Sequence, residues 1–313
     1  MNTSRYIFVA LILAVVSLPL AAQINDTYVI PASANQPGNF GTRWQTQFSV
    51  FNPQVGYPLT VSVTLLPTGG GKGSERTFTV PANGTVLSDN ILDDLFGIKS
   101  GSGALLVATF PEDNPTVPND VLSRAFLVTT NTYNNAKSGT YGQTIPGVWA
   151  GLQDFTTDGI SAVAHGVRNV ARLGWRTNVG AVNLGRSNVT LRVNVYAGDG
   201  STVMKGATLD IPSLGHRQAS LPAEVDGGSV EFFVDDPSNQ AVVFPYSSTI
   251  DPLSGDPTYQ GPTLLASAKI LFKMGLPQPT TLGKKIDTDF AREIRATATR
   301  MGEARVVGAR IGE

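Results

Sequence analysis

The chain has 313 residues, 41% hydrophobic and only 15% charged, with a formal net charge of −1, 33 glycines, 20 prolines and no cysteine. This length suggests about two domains, each able to bury a core, and the apolar content excludes wholesale disorder. Near-neutral charge argues against a nucleic-acid partner, which needs clustered Lys and Arg, while the missing cysteines exclude disulfides, thiolate metal sites and a thiol nucleophile.

The amino terminus reads as an export signal. Arg5 supplies the basic start, Ile7 to Val16 the apolar run, and Pro19-Leu20-Ala21-Ala22 a small-residue cleavage site before Gln23. The apolar stretch from Tyr6 to Ala22 is shorter than the roughly 20 residues that cross a bilayer core, and Pro19 breaks its far end. A retained anchor is therefore the weaker alternative. The expected mature chain carries no transmembrane anchor and is periplasmic, cell-surface or extracellular.

Two copies of one unit follow. Trp44-Gln45-Thr46-Gln47-Phe48-Ser49-Val50-Phe51-Asn52 reappears 131 residues later as Trp175-Arg176-Thr177-Asn178-Val179-Gly180-Ala181-Val182-Asn183, and Val80-Pro81-Ala82-Asn83-Gly84 matches Ile211-Pro212-Ser213-Leu214-Gly215 at the same offset. Leu106-Val107 matches Phe233-Val234 at an offset of 127, so the second copy is read as four residues shorter there, and Thr140-Tyr141 matches Thr258-Tyr259 at 118. The boundaries drawn from this are a signal over 1–22, sandwiches over 23–153 and 154–272, and a linker with a charged tail over 273–313.

Within each copy the pattern is that of strands. Leu59, Val61, Val63 and Leu65 alternate with Thr60, Ser62 and Thr64, and Val189, Leu191, Val193 and Val195 repeat the pattern. A period of two, punctuated by Gly, Pro and Asn, gives about seven antiparallel strands per copy and hence an all-β fold of two tandem immunoglobulin-like β-sandwiches. The glycine-rich stretch Gly69 to Gly73 lacks a following helix and Gly-Lys-Ser/Thr ending, so it reads as a mobile hairpin tip and not a phosphate loop. One short helix interrupts the first copy, with Asp89 capping Ile91 to Phe96, Gly97 closing it, and Leu92, Leu95 and Phe96 on one face. From Pro277 to Glu313 seven Lys or Arg and five Asp or Glu mark different material. That tail reads as solvated or partly disordered, with a docking or membrane-surface helix, capped by Asp287 or Thr288 and striped by Phe290, Ile294 and Met301, as the alternative.

Chemistry-bearing residues are few. His165 and His216 stand far apart, without a Gly-x-Ser-x-Gly elbow or cysteine, so neither a nucleophilic triad nor a zinc site has its ligand set. Both read as ordinary surface or strand histidines, and His216 falls where the first copy has Thr85. Glu112 with Asp113, and Asp235 with Asp236, share the same inter-strand loop in the two copies. They read as solvated turns, with calcium as the alternative because carboxylate-rich loops can hold it. No other cofactor is expected. Arg43 with Trp44, and Trp175 with Arg176, open equivalent strands and can stack on sugars or on a partner's side chains. The tryptophans read more economically as plugs of the sandwich ends. Trp149 reads as packing between the sandwiches, and Asn52 and Asn183 as bonding local backbone.

The strings Gly41-Thr42-Arg43-Trp44, Asn52-Pro53, Val80-Pro81 with Gly84, Leu95-Phe96-Gly97, Gly103-Ala104-Leu105 and Gly139-Thr140-Tyr141-Gly142-Gln143 with Ile145-Pro146-Gly147 resemble tandem β-sandwich modules of uncharacterised secreted proteins from environmental bacteria, including acidobacteria. The likeness spans most of residues 24–270, although the second copy lacks the Phe-Gly helix and the Tyr-Gly-Gln-x-Ile-Pro-Gly ending. It implies an exported sandwich pair and no catalytic residues. The functional expectation is a non-catalytic protein of structural, adhesive or ligand-binding role, meeting protein or glycan at the cell surface. A hydrolase with its site at the domain junction and an assembly subunit pairing through edge strands are the alternatives.

Overall fold

The computed structural model describes residues 25–38, 41–136, 139–149, 160–234, 241–261, 263–266, 292, 295 and 296. The segment read as an export signal and most of the tail lie outside them. Among the described residues no helix is long and apolar enough to cross a membrane.

The chain is all-β. The first unit contains β1 (Thr27–Pro37), β2 (Arg43–Phe51), β3 (Leu59–Pro67), β4 (Ser74–Val80), β5 (Thr85–Ser88), the one-turn helix α1 (Ile91–Asp94), β6 (Gly101–Ala108), the one-turn helix α2 (Val121–Arg124), β7 (Leu127–Ala136), β8 (Gly139–Pro146) and β9 (Val148–Trp149). The second contains β10 (Ile160–Asn169), β11 (Arg176–Asn183), β12 (Val189–Tyr196), β13 (Thr202–Ile211), β14 (Gly215–Ser220), β15 (Val225–Val234), β16 (Val243–Ile250), β17 (Pro257–Gln260) and β18 (Thr263–Ala266). Each unit thus has nine described strands where the periodicity gave about seven, because short edge strands such as β5 and β9 carry too few residues to show a period.

Strand order repeats element for element. In the first unit one layer runs β4-β3-β6-β1-β9 and the other β5-β2-β7-β8, and in the second β13-β12-β15-β10-β18 faces β14-β11-β16-β17. The central pairs β2·β5 and β3·β6 are those of an immunoglobulin sandwich, while the first strand pairs with β6 and the seventh with β2. Beyond a register shift between Ile30 and Ser33, β1 stays on β6 as far as Asn35, and from Asn35 to Pro37 it pairs with β2, which links both layers into one nine-stranded sheet. The bridge Val170–Trp175 marks the same corner in the second unit. The ladders also refine the sequence match. Val107 faces Val63 as Phe232 faces Val193, so Phe232 and not Val234 is its counterpart. Gln143 faces Thr132 as Thr258 faces Thr249, so Gln143 and not Thr140 corresponds to Thr258.

Alternation places one core inside each sandwich. Phe48, Val50, Val61, Val63, Phe78 and Leu105 fill the first, whose end is plugged by Ile91, Leu92 and Leu95 of α1, with Phe96 packed behind them. Gly97, at φ 70°, closes α1 as expected, but its N-cap is Asn90 and not Asp89. The helix α2 was not legible in sequence: Asp120 caps it through Ser123, and Arg124 ties it to the start of β1 by a buried ion pair with Asp26 at 3.2 Å. Beside that pair the Tyr28 hydroxyl donates to Phe126 O, and burial pushes its pKa up to about 12.

A third cluster joins the units. Val29, Leu66, Ala104 and Leu106 on the outer face of the first layer pack against Val182, Leu184, Leu214, Val242 and Phe244. Strand β6 is therefore buried on both faces, which is why Ala104-Leu105-Leu106-Val107 reads as a continuous apolar run instead of alternating. Each fully buried Leu, Val or Phe contributes about 1.5–3 kcal/mol, so the junction is a core in its own right. Leu214 illustrates its weight. It takes φ 47°, the conformation of Asn83 at the same turn position in the first unit, and its side chain is buried in this cluster. A branched apolar residue holds that backbone only where packing offsets the strain. The glycine-rich tip is docked here too, contrary to the mobile-hairpin expectation: Gly69 N donates to His216 O at 2.8 Å, and a Cβ on Gly70 would stand 2.7 Å from Pro212.

Candidate functional site

The units enclose a cleft of about 270 Å³ beside the apolar junction. Strands β1, β2, β7 and β8 supply Gln36, Trp44, Thr132 and Gln143, and β11, β14 and β16 supply Asn178, His216, Gln218, Tyr246 and Ser248. Asn178, His216, Gln218, Tyr246 and Ser248 project from the outward face of their sheet, the polar half of its alternation, whereas Trp44, Thr132 and Gln143 keep the inward parity of Phe48, Thr130 and Ile145 and reach the cleft at the end of the first sandwich, where β2 begins. The described lining contains neither a carboxylate nor a Lys or Arg.

A chain of hydrogen bonds crosses the junction. Ser102 Oγ lies 2.9 Å from Thr68 Oγ1, which lies 2.6 Å from His216 Nδ1. On the other side of the ring His216 Nε2 meets the Tyr246 hydroxyl at 2.7 Å, and that hydroxyl donates to Gln218 Oε1 at 2.7 Å. Because Tyr246 spends its one proton on Gln218, the imidazole donates from Nε2 and accepts from Thr68 at Nδ1, a tautomer assigned from the network. Burial, with the Arg217 charge next in the chain, lowers the His216 pKa to about 4. The imidazole is consequently neutral near pH 7. Its ring stacks on Tyr246 at 5.9 Å, and burial raises the Tyr246 hydroxyl well above its ordinary range. On the cleft's far side Ser248 Oγ donates to Gln143 Oε1 at 3.0 Å, a second tie between units.

Gly180 makes room for this arrangement. A Cβ there would stand 2.5 Å from Cζ and the hydroxyl of Tyr246. Gly180→Ala is expected to displace the ring and cost about 1–3 kcal/mol, as overpacking does. Thermal melting of the variant checks it: an unchanged melting temperature would show that Tyr246 moves freely.

The sequence candidates fare unequally. Trp44 and Trp175 are both half-buried at equivalent strand starts, and Trp44, on the inward parity of Phe48 and Val50, also reaches the cleft. Trp175 instead lies under the Arg168 guanidinium, 4.9 Å from the ring centroid. Arg43 is exposed and bonds Asn35 Oδ1 and Lys99 O, and Arg176 stands opposite Ile250 on β11. Trp149 is placed by its backbone in β9 opposite Tyr28, and its side chain lies outside the described atoms. Glu112 and Asp113 form a 3-10 turn facing guanidinium groups of Arg292 and Arg295, and Asp235 and Asp236 lie outside the described residues. No described cluster of three or more His, Asp or Glu is placed to hold a metal ion. His165 is exposed on β10 and does not meet His216, which lies on strand β14 and is buried, so of the surface or strand reading only the strand part describes it.

What sequence reading passed over is His216, Tyr246, Gln143 and Gln218 as a group. A signal existed in the departures from the repeat. By register the counterparts of Gly180, His216, Gln218 and Tyr246 are Ser49, Thr85, Leu87 and Thr129 on the outer face of the first unit, where Thr85, Leu87 and Thr129 are exposed. Divergence between copies marks the face that only one of them covers.

No protein family and no curated protein matches the chain. Among solved structures, Arthrobacter globiformis T6 isomalto-dextranase complexed with panose is 10% identical with a TM-score of 0.22, covering 68% of this chain, which spans 38% of that enzyme. Vicilin from Corylus avellana (hazelnut) is 9% identical with a TM-score of 0.17, over 90% of this chain and 86% of its own. At such scores neither likeness bears on fold or function.

Proposed function

We propose that the protein is an exported, non-catalytic pair of β-sandwiches that holds one unit of an uncharged, hydroxyl-rich ligand, such as a glycan at the cell surface, in the inter-unit cleft. The observation that carries this reading is the lining itself. The half-buried indole of Trp44 stands with Gln143 and Gln218, whose carbonyls are held by Ser248 and Tyr246, leaving their NH₂ groups as donors. Sugar hydroxyls accept from such amides, and the C–H face of a sugar ring packs on an indole. A cleft of 270 Å³ sits near the lower end of small-molecule sites, at roughly 300–1,000 Å³, which suits a single ring. A charged ligand would find no counter-ion among the described lining residues. The same lining offers no pair of carboxyls to act as acid and base on a glycosidic bond, which weighs against the hydrolase alternative at this junction.

A glycan array followed by calorimetry on the mature chain tests the reading. Binding is expected to weaken at least tenfold in Trp44→Ala and in Gln143→Ala, with melting temperatures near that of the parent. Binding unaffected by either substitution would overturn the site, and release of reducing ends from a bound glycan would overturn its non-catalytic character.

A further inference from the structure

The outer face of the β4-β3-β6 layer is covered twice. Near Leu66 and Leu106 the second unit lies over it, whereas Ser62, Thr64, Glu75 and Thr77, polar residues on the same face, are at most 1% exposed. An acid on the outer side of an edge strand ordinarily meets water. Glu75 instead accepts from Ser62 Oγ at 2.7 Å and pairs with Arg295 Nε at 2.7 Å. Arg295 Nη1 and Nη2 lie 2.8 and 3.4 Å from the two oxygens of Asp113, and its guanidinium carbon stands 4.4 Å from the centroid of the Phe110 ring. One helical turn earlier, Arg292 grips both oxygens of Glu112 at 3.1 and 3.2 Å.

We propose that Glu75, Asp113 and Phe110, with Glu112 at the rim, form a guanidinium-binding pocket whose ligand is the Arg292/Arg295 pair of the chain's own C-terminal segment, so that this segment is a strap docked on the first sandwich. Three features carry the assignment. The side chains of Glu75, Asp113 and Arg295 are 1%, 4% and 7% exposed, and two buried carboxylates are tolerable only with a compensating cation. The carboxylates approach Arg295 from its Nε edge and its Nη edge while Phe110 takes its face, a set of contacts that a planar fork satisfies and a single ammonium does not. The spacing i, i+3 puts both arginines on one face of a helix, and residues 292 and 295 are helical. Residues 267–291, 25 in number, lie between the last described strand and the strap. At up to about 3.3 Å each they give ample reach within one chain.

Amide hydrogen exchange of residues 286–302 in the full chain tests the strap. Exchange is expected to quicken at least tenfold in Arg295→Lys and in Arg292→Ala/Arg295→Ala. A labelled peptide of residues 286–302, followed by fluorescence anisotropy, tests the pocket. It is expected to bind the double variant at least tenfold more tightly than the parent chain, whose site is filled, with an Arg295→Lys peptide failing to bind. Unchanged exchange in both variants, or a peptide that binds neither chain, would overturn the proposal. Exchange that slows with protein concentration, alongside a dimer in light scattering, would overturn the assignment to the same chain by showing a strap swapped between copies.

Discussion

Asn52→Ala and Asn183→Ala are each expected to lower stability by about 3 kcal/mol, the two losses agreeing within about 1 kcal/mol because both residues perform one task. Asn52 Nδ2 donates to the carbonyls of Tyr57, Val80 and Pro81 at 3.0, 3.3 and 3.1 Å, and its Oδ1 accepts from Gln54 N at 2.9 Å. Asn183 does likewise with Ser187 O and Pro212 O at 2.8 and 3.2 Å and Gly185 N at 2.8 Å. Both are fully buried. The side chain thus stands in for a missing rung where β2 or β11 ends and the Pro-x-x-Gly turn closes over it. Alanine leaves backbone groups without partners, each costing about 1–3 kcal/mol. Aspartate is no remedy, since a carboxylate offers no proton to carbonyls that need a donor. Urea denaturation of the two variants measures the effect. A loss below about 1 kcal/mol in either would mean that water replaces the amide and that the turn is not locked by it.

Acidification is expected to weaken the protein through His216. Its folded pKa of about 4 lies below the ordinary 6.5, so between these values the unfolded chain binds the extra proton and stability rises with pH. The contribution is complete above pH 6.5 and is lost as pH falls toward 4, amounting to about 3 kcal/mol at 1.36 kcal/mol per pH unit. The physical event is protonation of Nδ1, which deprives it of the proton from Thr68 and places a charge among buried neutral groups at the unit junction. Glu112 and Glu231 also depend on pH in this direction. Burial raises each, but the Arg292 bond and the guanidinium charges outweigh it in Glu112, and bonds from Asn194, Ser161 and Tyr196 in Glu231. Their stabilising effect is lost only below about 4.5, so the interval from 4.5 to 6.5 belongs to the histidine. Melting temperature is expected to fall by about 5–10 °C across it at 2–4 °C per kcal/mol, and His216→Gln to flatten that slope. An equal slope in the variant would assign the pH dependence elsewhere.

Much of the fold was legible because it is encoded locally. The alternation in β3 and β12, the Pro-x-x-Gly turns, α1 with its closing Gly97, and the turn-binding roles of Asn52 and Asn183 all depend on residues near one another in sequence or on a repeat that displays them twice. The helix α2 escaped because Val121-Leu122-Ser123-Arg124 is held by Asp120 and by the ion pair to Asp26 across the unit, not by a periodic pattern. The tail arginines read as solvated because nothing in residues 277–313 announces the buried Glu75 and Asp113 that receive them. The cleft was illegible for the same reason: Gln218 and His216 occupy outward positions on their strands, where polar residues look like a wetted surface, and Gln143, on the inward parity of Ile145 but beyond the core, has its partner Ser248 in the other unit.

The sequence by itself determined an all-sheet chain, its duplication and the inward face of nearly every long strand, since a period of two sorts side chains with no knowledge of what lies opposite. Only the tertiary structure decided which outward faces leave water. Covering them takes contacts between residues more than a hundred positions apart, such as Leu66 with Leu214 or Thr68 with His216, and a polar side chain has the same spelling whether it meets solvent or the neighbouring sandwich.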